Sequence, residues 1–388
     1  MTSSLRVLLA FGTRPEAIKL APLIHQCRQH AEVEPIVCLT GQHREMLDQV
    51  VQYFDLETDV DLALMRPGQS LAELTARCLT GIDQTLARFR PDCVVAQGDT
   101  TTVAATALAA FYRKIPFVHV EAGLRTGDLY SPWPEEMNRR VATLTAAIHC
   151  APTEHARQNL LAERVPDAAV HVTGNTVIDA LLWTAGRERE RGDHWRQKYA
   201  VLGERPLVLV TAHRRESFGH GLDEVCRAIL ILAAEFPEVE FVFPVHPNPQ
   251  ARESAQRVLG KHASDNIHLL DPLPYPEFVW LMDRSTLMIS DSGGVQEEAP
   301  SLGKPVLVTR DVTERTEALE AGAVELVGTE TWKIVDRASL LLFDAEAYAA
   351  RQVARNPYGD GRAAERIVDL MLRNISSRAE TPALRLAA

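Results

Sequence analysis

The stretch LRVLLAFGTRPEAIKLAPLIHQCRQHAEVEPIVCLTGQHREMLDQVVQYF, residues 5–54, states one pattern twice. A short apolar run, "LRVLLAFG", precedes a longer amphipathic one, "PEAIKLAPLIHQCRQH". A second apolar run, "VEPIVCLTG", precedes a second amphipathic one, "QHREMLDQVVQYF". Short runs that are apolar throughout suit strands covered on both faces, and the longer runs suit the helices that cover them. The reading is therefore strand, helix, strand, helix, with parallel strands.

The rhythm continues through "DCVVAQGD", "TTTVAATALAAFYRK", "IPFVHVEAG" and "AAIHCAPT", and each apolar run ends in a loop holding Gly, Asp, His or Thr. Between residues 174 and 205 it gives way to a helix, "TVIDALLWTAGRER", and a polar stretch, "ERGDHWRQKYAVLGERP". A second series follows: "PLVLVTAH", "VEFVFPVH", "NIHLLDP", "STLMISDSGG", "KPVLVTRD" and "AVELVGT". The expected fold is α/β, with two Rossmann-like doubly wound domains, 1–174 and 175–361, whose strand ends face a central cleft. The C-terminal helix, 362–388, is expected to rejoin the first domain.

Bulk properties agree with two globular domains. The chain has 388 residues, 46% of them hydrophobic and 24% charged, which is enough for two cores and matches folded rather than disordered protein. A net charge of -11 and the lack of a long Lys/Arg block argue against a nucleic-acid partner. The six cysteines form no C-x-x-C pair, so neither a zinc site nor a disulfide framework is expected. The apolar run near the N-terminus, Val7 to Phe11, is too short for a signal peptide or a membrane span. A cytoplasmic protein without membrane attachment is the expectation.

Charge gathers where strands are expected to end. Arg14 and Lys19 follow the first strand; His213, Arg214 and Arg215 follow the first strand of the second series; Arg310 and Arg315 follow "PVLVT". Cations so placed in an acidic chain invite an anionic ligand, although each alone reads equally as a surface or helix-cap residue. In "SDSGGVQEEAP", residues 290–300, Gly293 and Gly294 let the backbone approach a ligand and a following helix offers N–H groups to phosphate. The alternative is that Asp291 or Ser292 simply caps that helix. The stretch is neither G-x-G-x-x-G nor a P-loop, which argues against a nicotinamide or Walker-type site.

Carboxylates form a second group in the first domain: Asp99, Glu121, Glu135 and Glu136. They read as helix caps or as proton-transfer groups. The cap reading suits Asp99, which precedes a Thr-rich helix start, better than Glu121, which precedes a loop. Glu135 follows Trp133 and Pro134 and fits a helix first turn. His213 and His246 end strands, but neither has metal-ligand spacing, and no G-x-S-x-G elbow is present. No metal or other cofactor is expected.

Together the motifs "FGTRPEAIKLAPL", "TGQHREMLDQV", "GDTTT", "HVEAGLRTGDLYSPWPEEMNR", "TGNTVIDAL", "HRRESFG", "DSGGVQEEAPSLGKPVLV" and "NPYGDG" resemble the bacterial non-hydrolysing UDP-N-acetylglucosamine 2-epimerases along essentially the whole chain. The resemblance implies a GT-B-like pair of Rossmann domains and interconversion of UDP-GlcNAc and UDP-ManNAc. The implied route is anti elimination of UDP, a 2-acetamidoglucal intermediate and re-addition of UDP. It implies acid/base roles for Asp99, Glu121 and Glu135, with His213 supporting the reaction or the diphosphate. Arg14 and Lys19 resemble the first-domain residues that hold the diphosphate. Ser292, Gly293 and Gly294 resemble its second-domain cradle, with Phe278 near the uracil and Arg315 nearby. Glu298 matches a glutamate that accepts from the ribose hydroxyls, whereas Glu297, about 100° away on a helix, reads as structural or solvent-facing.

Substrate activation through Gln42, His43, Glu136, Arg214 and His246, and a homodimer, are also implied. The chain departs from the family pattern at Leu273, where members often carry Gln, and at Thr316, where "TERTE" stands for "TERPE"; the first removes a polar base contact. Three rivals stand beside this reading. One is a 2-epimerase of a differently decorated UDP-HexNAc. Another is a GT-B glycosyltransferase, which calls for an acceptor-binding face that the acidic sequence does not display. The third is a non-catalytic nucleotide-sugar sensor, in which carboxylates beside a diphosphate would only cost affinity.

Overall fold

A computed structural model of the chain describes residues 4–41, 44–66, 68–212, 219–260, 264–353 and 355–376. The strands are β1 (Leu5–Phe11), β2 (Val33–Leu39), β3 (Val60–Asp61), β4 (Cys93–Gln97), β5 (Phe117–Val120), β6 (Ala146–Ala151), β7 (Val170–Val172), β8 (Leu207–Thr211), β9 (Glu240–Pro244), β10 (Ile267–Leu270), β11 (Leu287–Ser290), β12 (Val306–Val308) and β13 (Val324–Leu326). The helices in the first half are α1 (Arg14–Gln29), α2 (Arg44–Tyr53), α3 (Leu71–Phe89), α4 (Thr101–Tyr112), α5 (Glu135–Thr145), α6 (Glu154–Ala162), α7 (Thr176–Glu190) and α8 (Gly192–Lys198). Those that follow are α9 (His220–Glu235), α10 (Pro249–Val258), α11 (Tyr275–Arg284), α12 (Gly293–Glu298), α13 (Thr316–Glu320), α14 (Thr331–Phe343), α15 (Ala345–Arg351) and α16 (Ala363–Met371).

One sheet runs β3-β2-β1-β4-β5-β6-β7 and the other β10-β9-β8-β11-β12-β13, with parallel pairing throughout. Both are the Rossmann order, and in each the direction of winding reverses once, between β1 and β4 and between β8 and β11. The central strands are buried on both faces, which is why their sequences are apolar without alternation. The two doubly wound, Rossmann-like domains expected from the strand and helix rhythm are what the chain forms.

Helix α4 owes its place to small side chains. Its sequence TTVAATALAAFY is buried from Thr101 to Ala107, and it packs against both α3 and α5. Larger residues would hold those neighbours apart. The chain divides into two compact units after Ala180, inside α7, and again after Tyr358, against expected boundaries after 174 and 361. In the first unit, α16 packs on α1. Asp179 fixes its start by accepting the N–H groups of Ala363 (3.2 Å) and Ala364 (2.8 Å), a side-chain cap from a remote residue. Among the described residues no helix is long and apolar enough to cross a membrane.

Two histidines lie side by side in the first sheet, His119 on β5 opposite His149 on β6. Both are buried, and Nδ1 of each lacks a hydrogen-bond partner among the described residues. His119 Nε2 lies 2.7 Å from the carbonyl oxygen of Gly98; a carbonyl only accepts, so this nitrogen carries the proton. Burial, above all, pushes His119 down from 6.5 to about 4 and His149 to about 3.

The unfolded chain therefore takes up protons that the fold refuses. The stability this provides is present above about pH 6.5 and is lost as pH falls toward the folded values, about 2 kcal/mol for each histidine between about pH 7 and about pH 5. Asp179, which burial pushes up to about 6, acts in the opposite sense: the fold binds its proton first, so acidification returns roughly 1 kcal/mol. These three groups together should account for a loss of roughly 2–3 kcal/mol in urea unfolding between these pH values, and His149→Leu should reduce the loss by about 2 kcal/mol relative to the parent. An equal loss in the variant would contradict this account.

Candidate active site

In the first unit, the turn after β1 is shaped by a capping box. Thr13 caps α1, and Glu16 reaches back so that its Oε2 accepts the N–H groups of Gly12 (3.0 Å) and Thr13 (2.8 Å). Arg14 opens the helix at this turn and Lys19 lies farther along it. Lys19 Nζ donates to Glu121 Oε2 at 2.5 Å, and Gln97 Nε2 donates to the same oxygen at 2.5 Å. Lys19, expected on a diphosphate, is thus held against a carboxylate.

Glu121 follows β5 in the left-handed region, φ 62°, and is 8% exposed. Few side chains of this kind adopt that conformation. No helix starts between it and Pro134, so it is not the N-cap of a helix that follows it. Gly123, two residues on, also has positive φ, and a Cβ there would sit 2.2 Å from the carbonyl oxygen of Ala156; only glycine lets this loop lie on α6.

Asp99 was open to the reading that it caps α4, and the structure corrects this: Thr100 is the N-cap, its hydroxyl accepting from Val103 N at 3.4 Å. Asp99 instead binds Arg139, Oδ2 accepting from Nε at 3.0 Å and Nη2 at 2.7 Å, while Asn138 Nδ2 holds its carbonyl oxygen at 2.9 Å. Oδ1 has no partner among the described residues. Arg139 Nη1 also donates to Glu136 Oε2 at 3.1 Å. Glu136 is fully buried and accepts in addition from Arg140 (3.3 Å) and the N–H of Thr126 (3.2 Å). Glu135 opens α5, as expected for a first-turn residue, and its Oε2 is buried without a partner among the described residues.

Sequence reading missed Arg139 and Gln97. The spacing of Glu136 to Arg139 and Arg140, three and four residues, was a visible signal. The bond from Arg139 to Asp99, forty residues away, was not.

In the second unit, β8 and β11 end side by side, and the hydroxyls of Thr211 and Ser290 share a hydrogen bond of 2.6 Å. Ser290 Oγ then accepts from Ser292 N at 3.0 Å. Ser292 stands at the N-cap of α12 without capping it through its side chain, so Ser292 is not the simple side-chain cap of the alternative reading. The helix is short, six residues.

Gly293 lies against Arg315: a Cβ there would meet the guanidinium at 3.4 Å, an ordinary van der Waals distance. Arg315 Nε donates to Glu297 Oε1 at 2.8 Å and Nη1 pairs with Glu314 at 3.0 Å. Glu297 is 2% exposed, which removes the solvent-facing option; it is turned inward onto Arg315. Glu298 is half-buried on the neighbouring face. Gln296, which sequence reading passed over, ties the turn to the following loop, donating to Ser292 O (3.1 Å) and accepting from Thr313 (2.6 Å).

Phe278 lies on α11, partly exposed. His246 follows β9, and its Nδ1 accepts from Asn248 N at 3.2 Å, so that nitrogen is unprotonated. Gln42, His43, His213 and Arg214 lie outside the described residues. Among the described residues no group of three His, Cys, Asp or Glu side chains is arranged to hold a metal ion. The first unit therefore offers carboxylates with individually different partners, suited to proton transfer. The second offers a glycine turn beside an arginine, suited to a phosphate ester.

Comparison with known proteins points the same way. Residues 25–372 match the family model described as UDP-N-acetylglucosamine 2-epimerase. The chain is 52% identical over 375 residues to the UDP-N-acetylglucosamine 2-epimerase of Escherichia coli strain K12, covering 95% of this chain and 99% of that one. The crystal structure of the Neisseria meningitidis UDP-GlcNAc 2-epimerase bound to UDP-GlcNAc superposes with a TM-score of 0.88 at 48% identity, covering 95% of this chain and 100% of that one. The Methanocaldococcus jannaschii UDP-GlcNAc 2-epimerase in complex with UDP-GlcNAc and UDP gives 0.78 at 32% identity, with coverage of 95% and 100%. With a family model spanning most of its length and half its residues shared with a full-length relative, this chain belongs to the UDP-N-acetylglucosamine 2-epimerase family.

Proposed function

We propose that the enzyme reversibly converts UDP-GlcNAc to UDP-ManNAc by eliminating and re-adding UDP. Removal of the C2 proton and cleavage of the C1–O bond expel UDP and leave 2-acetamidoglucal. Return of a proton to C2 on the opposite face, with re-addition of UDP at C1, completes the inversion. The chemistry needs proton-transfer groups near C2 and donors that hold the diphosphate while it is detached.

The observation that carries this reading is the set of three carboxylates in the first unit, each in a different environment: Asp99 on Arg139, Glu121 on Lys19 and Gln97, and Glu135 with an unpartnered buried oxygen. Asp99, Glu121 and Glu135, with His213, are the proposed acid/base and supporting groups. Arg14, Lys19, Ser292, Gly293, Gly294 and Arg315 are the proposed diphosphate contacts, Phe278 a base contact and Glu298 the ribose acceptor. An effector site using Gln42, His43, Glu136, Arg214 and His246, a homodimer, a cytoplasmic location and supply of ManNAc for cell-surface polysaccharide extend the same reading.

Incubation of UDP-GlcNAc with the enzyme in D2O should place deuterium at C2 as UDP-ManNAc appears; epimer formed without label would sink the elimination route. Asp99→Asn, Glu121→Gln and Glu135→Gln should each slow C2 exchange by roughly 10²–10⁴-fold, measured by loss of the C2 proton signal. Glu298→Ala should weaken UDP binding in calorimetry. Glu297→Ala removes the buried carboxylate that Arg315 Nε meets and should cost roughly 1–3 kcal/mol of stability. Unchanged UDP binding in Glu298→Ala, or unchanged stability in Glu297→Ala, would refute the division of labour.

A further inference from the structure

Glu16 is 2% exposed in the first turn of α1. Burial raises its pKa, and the hydrogen bonds it accepts oppose that rise, so the group is kept in a costly place. A capping box does not require this. The same chain carries another at the start of α3, where Glu73 accepts from Ser70 N (2.8 Å) and Ser70 Oγ (3.0 Å) and remains exposed. The difference lies in the second oxygen. Glu16 Oε1 accepts the hydroxyl of Thr100 at 2.6 Å, across 84 residues of sequence.

Thr100 adjoins Asp99 and caps α4. Its single hydroxyl proton goes to Glu16 while its oxygen accepts from Val103 N. Among the ties on the turn of residues 98–100 are Gly98 O to His119, Asp99 to Arg139, and Thr100 to Glu16. The last connects it to the turn that carries Arg14. That connection spans the place where β1 and β4 pair and the winding reverses.

We propose that Glu16 is a positioning residue that sets the separation between the Arg14 turn and Asp99, and so between the diphosphate holder and a proton-transfer group. The inference rests on the roles proposed above for those two residues. In an elimination, C2–H cleavage and departure of UDP from C1 must be served in one geometry, so a loose spacing penalises turnover more than binding.

Glu16→Gln keeps an oxygen for the Gly12 and Thr13 N–H groups but meets Thr100 with a donor. Thr100→Val removes the hydroxyl, and Thr100→Ser retains it. The experiment measures kcat for C2 exchange, the Kd for UDP and the melting temperature of each. Glu16→Gln and Thr100→Val should each lower kcat by roughly 10–100-fold with the UDP Kd changed less than about threefold. Thr100→Ser should stay within about threefold of the parent rate, and the Glu16→Gln/Thr100→Val double variant should be no slower than the slower single variant.

Rates that multiply in the double variant, a rate loss matching only the unfolded fraction, or full activity in Glu16→Gln would each overturn the proposal. Asp99→Asn separates the two levels. If it slows exchange while Glu16→Gln does not, the positioning role fails alone; if it retains full exchange, the catalytic reading fails and takes the positioning role with it.

Discussion

The pairing of β1 with β4, Val7 opposite Cys93 through Ala10 opposite Ala96, is the constraint on which the first unit depends. Parallel strands need a crossover of a dozen or more residues, so every strand ends on the same edge of the sheet. Where the winding reverses, the connections leave toward opposite faces and the turns part, leaving a crevice between them. The turns of Arg14 and Asp99 flank that place. In the second unit β8 and β11 repeat the arrangement, and the Thr211–Ser290 hydroxyl pair marks the corresponding point. Buried strands without a polar face make the geometry stiff, since any slip would separate fully packed side chains.

Stiffness alone does not hold the turns; buried carboxylates do. Glu16, Glu121, Glu136 and Glu297 are all removed from water, at 2%, 8%, 0% and 2% exposure. Each is met by donors from a different segment: Thr100, Lys19 with Gln97, Thr126 with two arginines, and Arg315. An ion out of water is tolerated only with such partners, and removing one partner is costly. The acids therefore serve as fasteners between loops as well as candidate proton carriers. This explains acidic residues beside a turn suited to phosphate: Glu297 neutralises and aims an arginine, while Glu298 lies half-buried on the neighbouring face of the same helix.

Buried histidines add a second kind of constraint. His119 must remain neutral with its Nε2 proton on Gly98, because neither a charge nor a second donor is accommodated beside it. The backbone entering Asp99 is thereby held by a group whose chemistry is silent near neutral pH.

Much was legible in the chain alone. Apolar runs ending in Gly, Asp, His or Thr disclosed both parallel sheets and the strand ends where function gathers, because strand burial and helix period are local properties of sequence. The long ordered motifs disclosed the family, and Glu135 as a helix first-turn residue followed from its neighbours. Sequence by itself thus determined the fold class and which residue types stand at the strand ends. Only the tertiary structure decided which side chains meet: Asp99 with Arg139 rather than with its own helix, Lys19 with Glu121, Glu297 with Arg315, and Glu16 with Thr100. Those pairings join segments between 18 and 102 residues apart, and the energy of a pair depends on distance and burial, which exist only after the sheets have brought the turns together.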